Sequence, residues 1–193
     1  MRAASGRRDL SSNKNATGYT NPRYVDSAGL ELEEKVVDIR RVAKVTKGGK
    51  RFHFTAMVVV GNGSGVVGYG LGKSNEVPGA IKKGADKARK NLIQVPLKGS
   101  TIPHEVCCES SSSRVVLLPA APGTGVISGG AVRAVADLAG IHDILSKVVG
   151  SRNPLNVVAA VMKALSLLSP PETVALTRHK KVSDLDLPPY YRI

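Results

Sequence analysis

Aromatic residues are scarce in this chain, with two Phe, five Tyr and no Trp among 193 residues. Base stacking on aromatic platforms, a common grip on single-stranded nucleic acid, is therefore disfavoured. Cysteine is scarcer still, and Cys107 and Cys108 are adjacent. A disulfide framework or a tetrahedral metal site needs more and better-spaced ligands. The pair reads as strand packing or edge filling in a reducing compartment. No apolar run approaches the roughly 20 residues that span a bilayer. Residues 1–15 are polar and lack the apolar core of a secretory signal, although their Arg and Ser content with little acid is compatible with the remnant of an organelle-targeting segment. His53, His104, His142 and His179 are isolated, and the Ser110–Ser113 run lacks the strand–elbow–helix setting of a nucleophile. Nothing proposes an acid, a base and a nucleophile together. The expectation is a protein without enzymatic reaction, cofactor, metal or small-molecule substrate.

Acidic residues are in deficit: 15 Asp and Glu stand against 28 Lys and Arg, a formal charge of +13. The excess is lopsided. Residues 1–100 hold 19 of the basic and 8 of the acidic residues, and the remainder hold 9 and 7. Such asymmetry calls for a polyanion, either nucleic acid or an anionic membrane surface. A soluble domain with a scattered basic surface is the plainer reading. It fits poorly, because the charges bunch at one turn and on one helix.

The turn is the strongest signal. Two runs rich in β-branched and aromatic residues, 36–45 and 52–60, flank Lys47-Gly48-Gly49-Lys50. The Gly-Gly pair predicts a hairpin, since glycine reaches the positive φ angles of tight turns. Arg40, Arg41, Lys44, Lys47, Lys50 and Arg51 crowd it, and a hairpin tip so charged repels itself unless an anion lies against it.

Around the hairpin the chain divides as follows. Residues 1–29 read as a flexible basic arm. Residues 30–37 predict the start of a short helix, with Glu31, Glu33 and Glu34 near its positive end. The cluster at 61–65 is a turn, and 66–72 is a third strand thinned by glycines, which marks close approach of another backbone or a ligand. A helix over 75–93 follows, with Val77, Ile81, Gly84, Ala85, Ala88 and Leu92 on one face and Lys82, Lys83, Lys87, Arg89 and Lys90 over much of the rest. The first domain is thus 30–96, bounded by the Val95–Ser100 punctuation. The second, 101–180, predicts strands at 102–108 and 114–118 with Glu109 and the serine run as their turn. A glycine-rich loop over 119–130, a helix over 131–139 capped by Gly140, and a strand or strand-like return over 141–149 come next. Asn153-Pro154 opens an apolar helix over 154–168, which Pro170-Pro171 stops. A short helix near 172–180 and a tail over 181–193 finish the chain.

Two nucleotide-binding motifs are present only in outline. Gly63-Ser64-Gly65-Val66-Val67-Gly68 fits G-x-G-x-x-G, but a strand follows where a helix has to open. Gly72-Lys73-Ser74 resembles the end of a phosphate-binding loop, yet the required first glycine falls on Val67. Lys73 reads better as part of the cationic surface near the helix N-terminus. A small sheet with one packed helix and basic loops matches modules that read double-stranded RNA by shape and phosphate position.

The order of short motifs then resembles a known family. Lys47-Gly48-Gly49-Lys50-Arg51-Phe52, Gly61-Asn62-Gly63-Ser64-Gly65-Val66-Val67-Gly68-Tyr69-Gly70 and Gly72-Lys73 with Glu76-Val77-Pro78 are followed by Ser113-Arg114-Val115, Gly123-Thr124-Gly125-Val126-Ile127, Gly129-Gly130-Ala131-Val132-Arg133 and Gly150-Ser151-Arg152-Asn153-Pro154. This series, over roughly 32–179, is similar to the family of the fifth protein of the bacterial-type small ribosomal subunit. Residues 1–29 and 182–193, and the turn at Cys107–Ser112, depart from that pattern.

The resemblance implies an α+β fold: a double-stranded-RNA-binding-like βββα domain, then a small α/β domain with an unusual left-handed βαβ crossover. It implies a structural constituent that binds 16S-type rRNA through hairpin, helix and Arg114, beside the fourth and eighth small-subunit proteins and near the mRNA entry channel. The hairpin matches a loop that reaches into the rRNA. Gly123, Gly125 and Arg133 match the contact with the fourth protein, where changes affect decoding accuracy. The implied location is a ribosome, in bacterial cytoplasm or in an organelle (chloroplast stroma or mitochondrial matrix). A free-standing double-stranded RNA-binding regulator is the alternative.

Overall fold

The computed structural model describes residues 25, 27 and 29–184. The arm expected over 1–29 and the tail over 181–193 therefore lie mostly outside the described residues. Strands β1 (Glu33–Thr46) and β2 (Gly49–Gly61) form a long antiparallel hairpin, β3 (Val66–Ser74) pairs with β2, and helix α1 (Val77–Arg89) crosses back over them. Strand β4 (Leu92–Gln94) adds beside β3, giving the order β1-β2-β3-β4. The second half runs β5 (Val106–Ser110), β6 (Ser113–Pro119), β7 (Val126–Ile127), α2 (Gly130–Ala139), β8 (Ile144–Gly150), α3 (Pro154–Ser166) and α4 (Pro171–Thr177). Its sheet has the order β5-β6-β8-β7, and only the β7–β8 pair is parallel. The chain is thus a two-sheet α+β protein, the class that the sequence implied.

Side-chain alternation explains how the sheets pack. Ala56, Val58 and Val60 of β2 face α1 and close on Ala80, Ala85 and Ala88. Met57 and Val59 point the other way, into a core shared with Val132, Val135 and Leu138 of α2, Val158 and Met162 of α3, and Val115 and Leu117 of β6. The first sheet is therefore covered by α1 on one face and by elements of the second half on the other. The β3 glycines are what let α1 settle. A Cβ at Gly68, Gly70 or Gly72 would run into the α1 main chain at Ala88, Gly84 or Ala80 respectively. The glycine signal does mark close approach of a backbone, and that backbone is the chain's own helix.

Several boundaries differ from expectation. No helix occupies 30–37: β1 begins at Glu33, because pairing with β2 outweighs the local preference. Its consecutive charges instead reach opposite sides of the sheet. Glu34 accepts a hydrogen bond from Arg89 of α1 at 2.7 Å, and Lys35 donates to Asp137 of α2 at 2.9 Å. Helix α1 stops at Arg89 instead of 93, since Leu92 and Ile93 are buried as β4 alongside β3. The strand expected over 102–108 runs Val106–Ser110; Ile102 is fully buried yet outside it, with Pro103 interrupting. Glu109 and Ser110 belong to β5 and Ser113 to β6, so the turn is only Ser111-Ser112, with Ser111 at φ 52°. Strand β7 emerges inside the expected loop, and the return over 141–149 becomes β8. Gly140 caps α2 at φ 77° as foreseen. Asn153 holds the N-cap position of α3, but its side chain makes no capping bond. Helix α3 ends at Ser166, short of 168 and before the Pro170-Pro171 stop, and Pro171 itself starts α4, which ends at Thr177. In edge strand β5 both cysteines are free thiols, Cys108 buried and Cys107 exposed, and burial pushes the Cys108 thiol pKa up.

Candidate nucleic-acid interface

Strand β3 ends at Ser74, opposite Phe54, so the β1–β2 hairpin continues past it without a third strand. Residues 42–53 form a two-stranded finger. The turn lies one residue earlier than expected: Lys47 and Gly48 are its central pair, because Thr46 already pairs with Gly49. Positive φ falls on Gly49, at 134°, and the Thr46 hydroxyl donates to the Gly49 carbonyl at 3.0 Å. Lys44 stands directly across from Arg51. Two like charges so placed destabilise a hairpin by roughly 0.2–1 kcal/mol. An anion lying across the finger reverses that sign.

The finger's cations fall into two kinds. Arg40 donates to Asp38 at 2.6 Å, and the Arg41 guanidinium lies 3.9 Å from the centre of the Phe52 ring. Lys44, Lys47, Lys50 and Arg51 are exposed and have no acidic partner among the described residues. Cations along an edge strand also block edge-to-edge aggregation. That role does not require the charges that β2 adds at Lys50 and Arg51.

Register divides the remaining basic residues. Lys73 pairs with Thr55 and shares its face with Arg51 and Lys44, away from α1. Lys82, Lys83, Lys87 and Lys90 are exposed along and just past α1, on the other side of the sheet, while Arg89 is engaged by Glu34. Lys73 thus lies just before the N-terminus of α1 and shares a sheet face with Lys44 and Arg51, not with the lysines along α1. Arg114 lies on the second sheet, on the face turned away from the core, where its Nε donates to Cys107 Sγ at 3.0 Å and sits 3.6 Å from Glu109.

The loop before α2 is held from within. Gly123 and Gly125 adopt φ of 88° and 77°, and the Gly125 N–H donates to Asp143 at 2.9 Å. Arg133 donates to the Val126 carbonyl at 3.0 Å. Asp143 is 4% exposed and was missed from the sequence, where a lone acid inside an apolar stretch was its only signal. The Ser100 hydroxyl, then the Gly125 and Gly123 N–H groups, hold its carboxyl below the ordinary range. The two nucleotide motifs gain no cradle, because residues 63–68 run into β3 and not into a helix, and Gly72-Lys73-Ser74 is extended strand paired to β2. Among the described residues no three His, Cys, Asp or Glu side chains converge as for a metal ion, and no single helix is long and apolar enough to cross a membrane.

Residues 32–96 match the family model described as the N-terminal domain of ribosomal protein S5, and 108–178 match the model for its C-terminal domain. The small ribosomal subunit protein uS5 of Syntrophobacter fumaroxidans is 54% identical over 161 residues, which cover 83% of this chain and 97% of that protein. Its counterpart from Chloroflexus aurantiacus is 55% identical over 160 residues, covering 83% and 86%. The order of motifs, the two sheets and these matches agree, and the chain belongs to the bacterial-type uS5 family of small-subunit ribosomal proteins.

Proposed function

We propose that this protein is a structural constituent of the small ribosomal subunit, without an enzymatic reaction of its own, that bridges segments of 16S-type rRNA by neutralising their phosphates. The reading is carried by the finger over 42–53: it projects beyond β3, and its cations at Lys44, Lys47, Lys50 and Arg51 have no acidic partner among the described residues. The lysines of α1 supply a second basic surface, so the β1–β2–β3–α1 unit works as a double-stranded-RNA-binding-like module read by shape and charge. Arg114 adds an RNA contact on the second sheet. Gly123, Gly125 and Arg133 face the fourth small-subunit protein, with the eighth nearby, and through that contact the protein supports decoding accuracy and the mRNA entry region. The β7–α2–β8 segment is the family's left-handed crossover; a right-handed path in a crystal structure would overturn that point.

Sedimentation of the tagged chain through a sucrose gradient from cells of its own source tests the main reading. Co-migration with the small subunit through a high-salt wash is expected. Recovery near the top of the gradient would instead identify a free-standing double-stranded RNA-binding regulator.

A further inference from the structure

The chain's two phenylalanines, Phe52 and Phe54, stand two residues apart on β2 and so share one face of the hairpin. It is the face of Ala56, which further along is covered by α1. Phe54 is half-buried against the α1 cluster, whereas Phe52 lies outside that cluster and is 45% exposed. Directly across from Phe52 is Ala43, whose methyl is too short to cover the ring. Arg41, opposite Phe54 and diagonal to Phe52, lays its guanidinium 3.9 Å from the centre of the Phe52 ring. Nearer the turn on the same face, Val45 is 72% exposed and pairs with the exposed Lys50.

A core role does not account for the Arg41–Phe52 pair, since both members face solvent. Cross-strand support of the finger uses only the inner side of the guanidinium. Arg41 makes no ion pair or hydrogen bond with the described residues, so the ring alone holds its plane. Residues 39–45 and 50–56 contain no Asp or Glu, so neither strand repels an anionic chain here. A planar cation lying on an aromatic ring is a stacking platform, and unpaired RNA bases stack on guanidinium planes as they do on rings. Scarcity of aromatics excludes a broad platform but not a single one. The finger's other face differs, because it carries Lys44, Arg51 and Lys73, charges that suit phosphates.

We propose that this face of the finger is a stacking site for one unpaired base of an RNA, seated on the outer side of the Arg41 guanidinium, with Phe52 behind it and Lys50 at the adjoining phosphate. The site rests on the proposed RNA-binding role and deepens it. One face of the finger meets duplex phosphates, and the other meets a bulge or a helix end. Stacking tolerates any base, so the site selects an unstacked base and not a sequence.

Two RNA stem-loops that differ at a single bulged position, adenosine in one and an abasic residue in the other, carry equal charge and test the site on the full chain. The adenosine form is expected to bind about tenfold tighter. Phe52→Leu keeps apolar bulk but removes the ring, and Arg41→Lys keeps the charge but removes the plane. Each is expected to abolish the preference for the base while leaving affinity for the abasic form and the salt slope unchanged. Phe52→Tyr is expected to retain the preference. Equal affinity of the unsubstituted chain for the two forms would overturn the site and leave the RNA-binding role standing. Variants that weaken both forms alike would also overturn it, assigning the pair to stiffening the finger or seating a protein. Binding of neither stem-loop would overturn the role and the site together.

Discussion

A methyl group at Gly72 has nowhere to go, because its Cβ would occupy the position of the Ala80 carbonyl on α1. Relief requires lifting the helix from the sheet and opening contacts among Ala56, Val58, Ala80 and Ala85. Gly72→Ala is therefore expected to destabilise the fold by about 2–3 kcal/mol in urea unfolding. Gly48→Ala, at a turn with open space, is the control and is expected to cost little. Asp143 supplies a second test. Its carboxyl pKa is lowered in the folded state, so its contribution is full above the unfolded value near 3.8 and is lost as pH falls through the folded value. Asp143→Asn should lower the melting temperature at pH 7, and that effect should shrink progressively as the pH falls below 3.8; an effect independent of pH would assign the loss to packing. Sequence reveals these two residues unequally. Glycine inside a strand announces crowding on its own, whereas Asp143 acquires meaning only when the fold brings Ser100 and the Gly123–Gly125 loop to it.

At the scale of elements, what the sequence discloses depends on length. The hairpin, β3 and the three long helices are legible because each repeats its apolar period several times. Strands β4 and β7, of three and two residues, are too short for any period and exist because β3 and β8 offer them partners. The 30–37 segment shows the opposite failure, a run of glutamates with helix character drawn into β1 by thirteen pairings with β2. The finger was legible from charge and glycine alone, although its turn lay one residue off. The finger's prediction belongs here too. Changing Lys47, Lys50 and Arg51 together to Ala removes three charges from exposed positions and relieves the Lys44–Arg51 repulsion. The circular dichroism spectrum should be unchanged and stability equal or slightly higher. If each cation meets one phosphate, the log–log salt slope for duplex RNA should fall by about 2.7. An unchanged slope would move the RNA contact to α1.

For the whole molecule, the question is whether two matched family domains behave as two folding units. The α2 terminus argues that they do not. The N–H groups of Gly63 and Gly65, in the loop after β2, donate at 2.9 Å to the carbonyls of Leu138 and Ala139, closing the end of α2 from the other half of the chain. A Cβ at Gly140 would overlap the Gly63 carbonyl, and one at Gly61 would overlap the Leu138 carbonyl, so the two backbones touch. Met57, Val59 and Val67 of the first sheet share one continuous core with α2, α3 and the second sheet. The Lys35–Asp137 ion pair adds little, as both side chains are nearly half exposed. Neither half can leave without exposing the core of the other, so calorimetry should show a single transition. Gly140→Ala tests the coupling, since it forces a left-handed residue to carry a Cβ and pushes it into the first half. A cost of about 3 kcal/mol is expected, lowering the melting temperature of that one transition by roughly 8 °C. Two resolved transitions, with only the second sensitive to Gly140→Ala, would show that the halves fold independently and that the shared core is a docked surface.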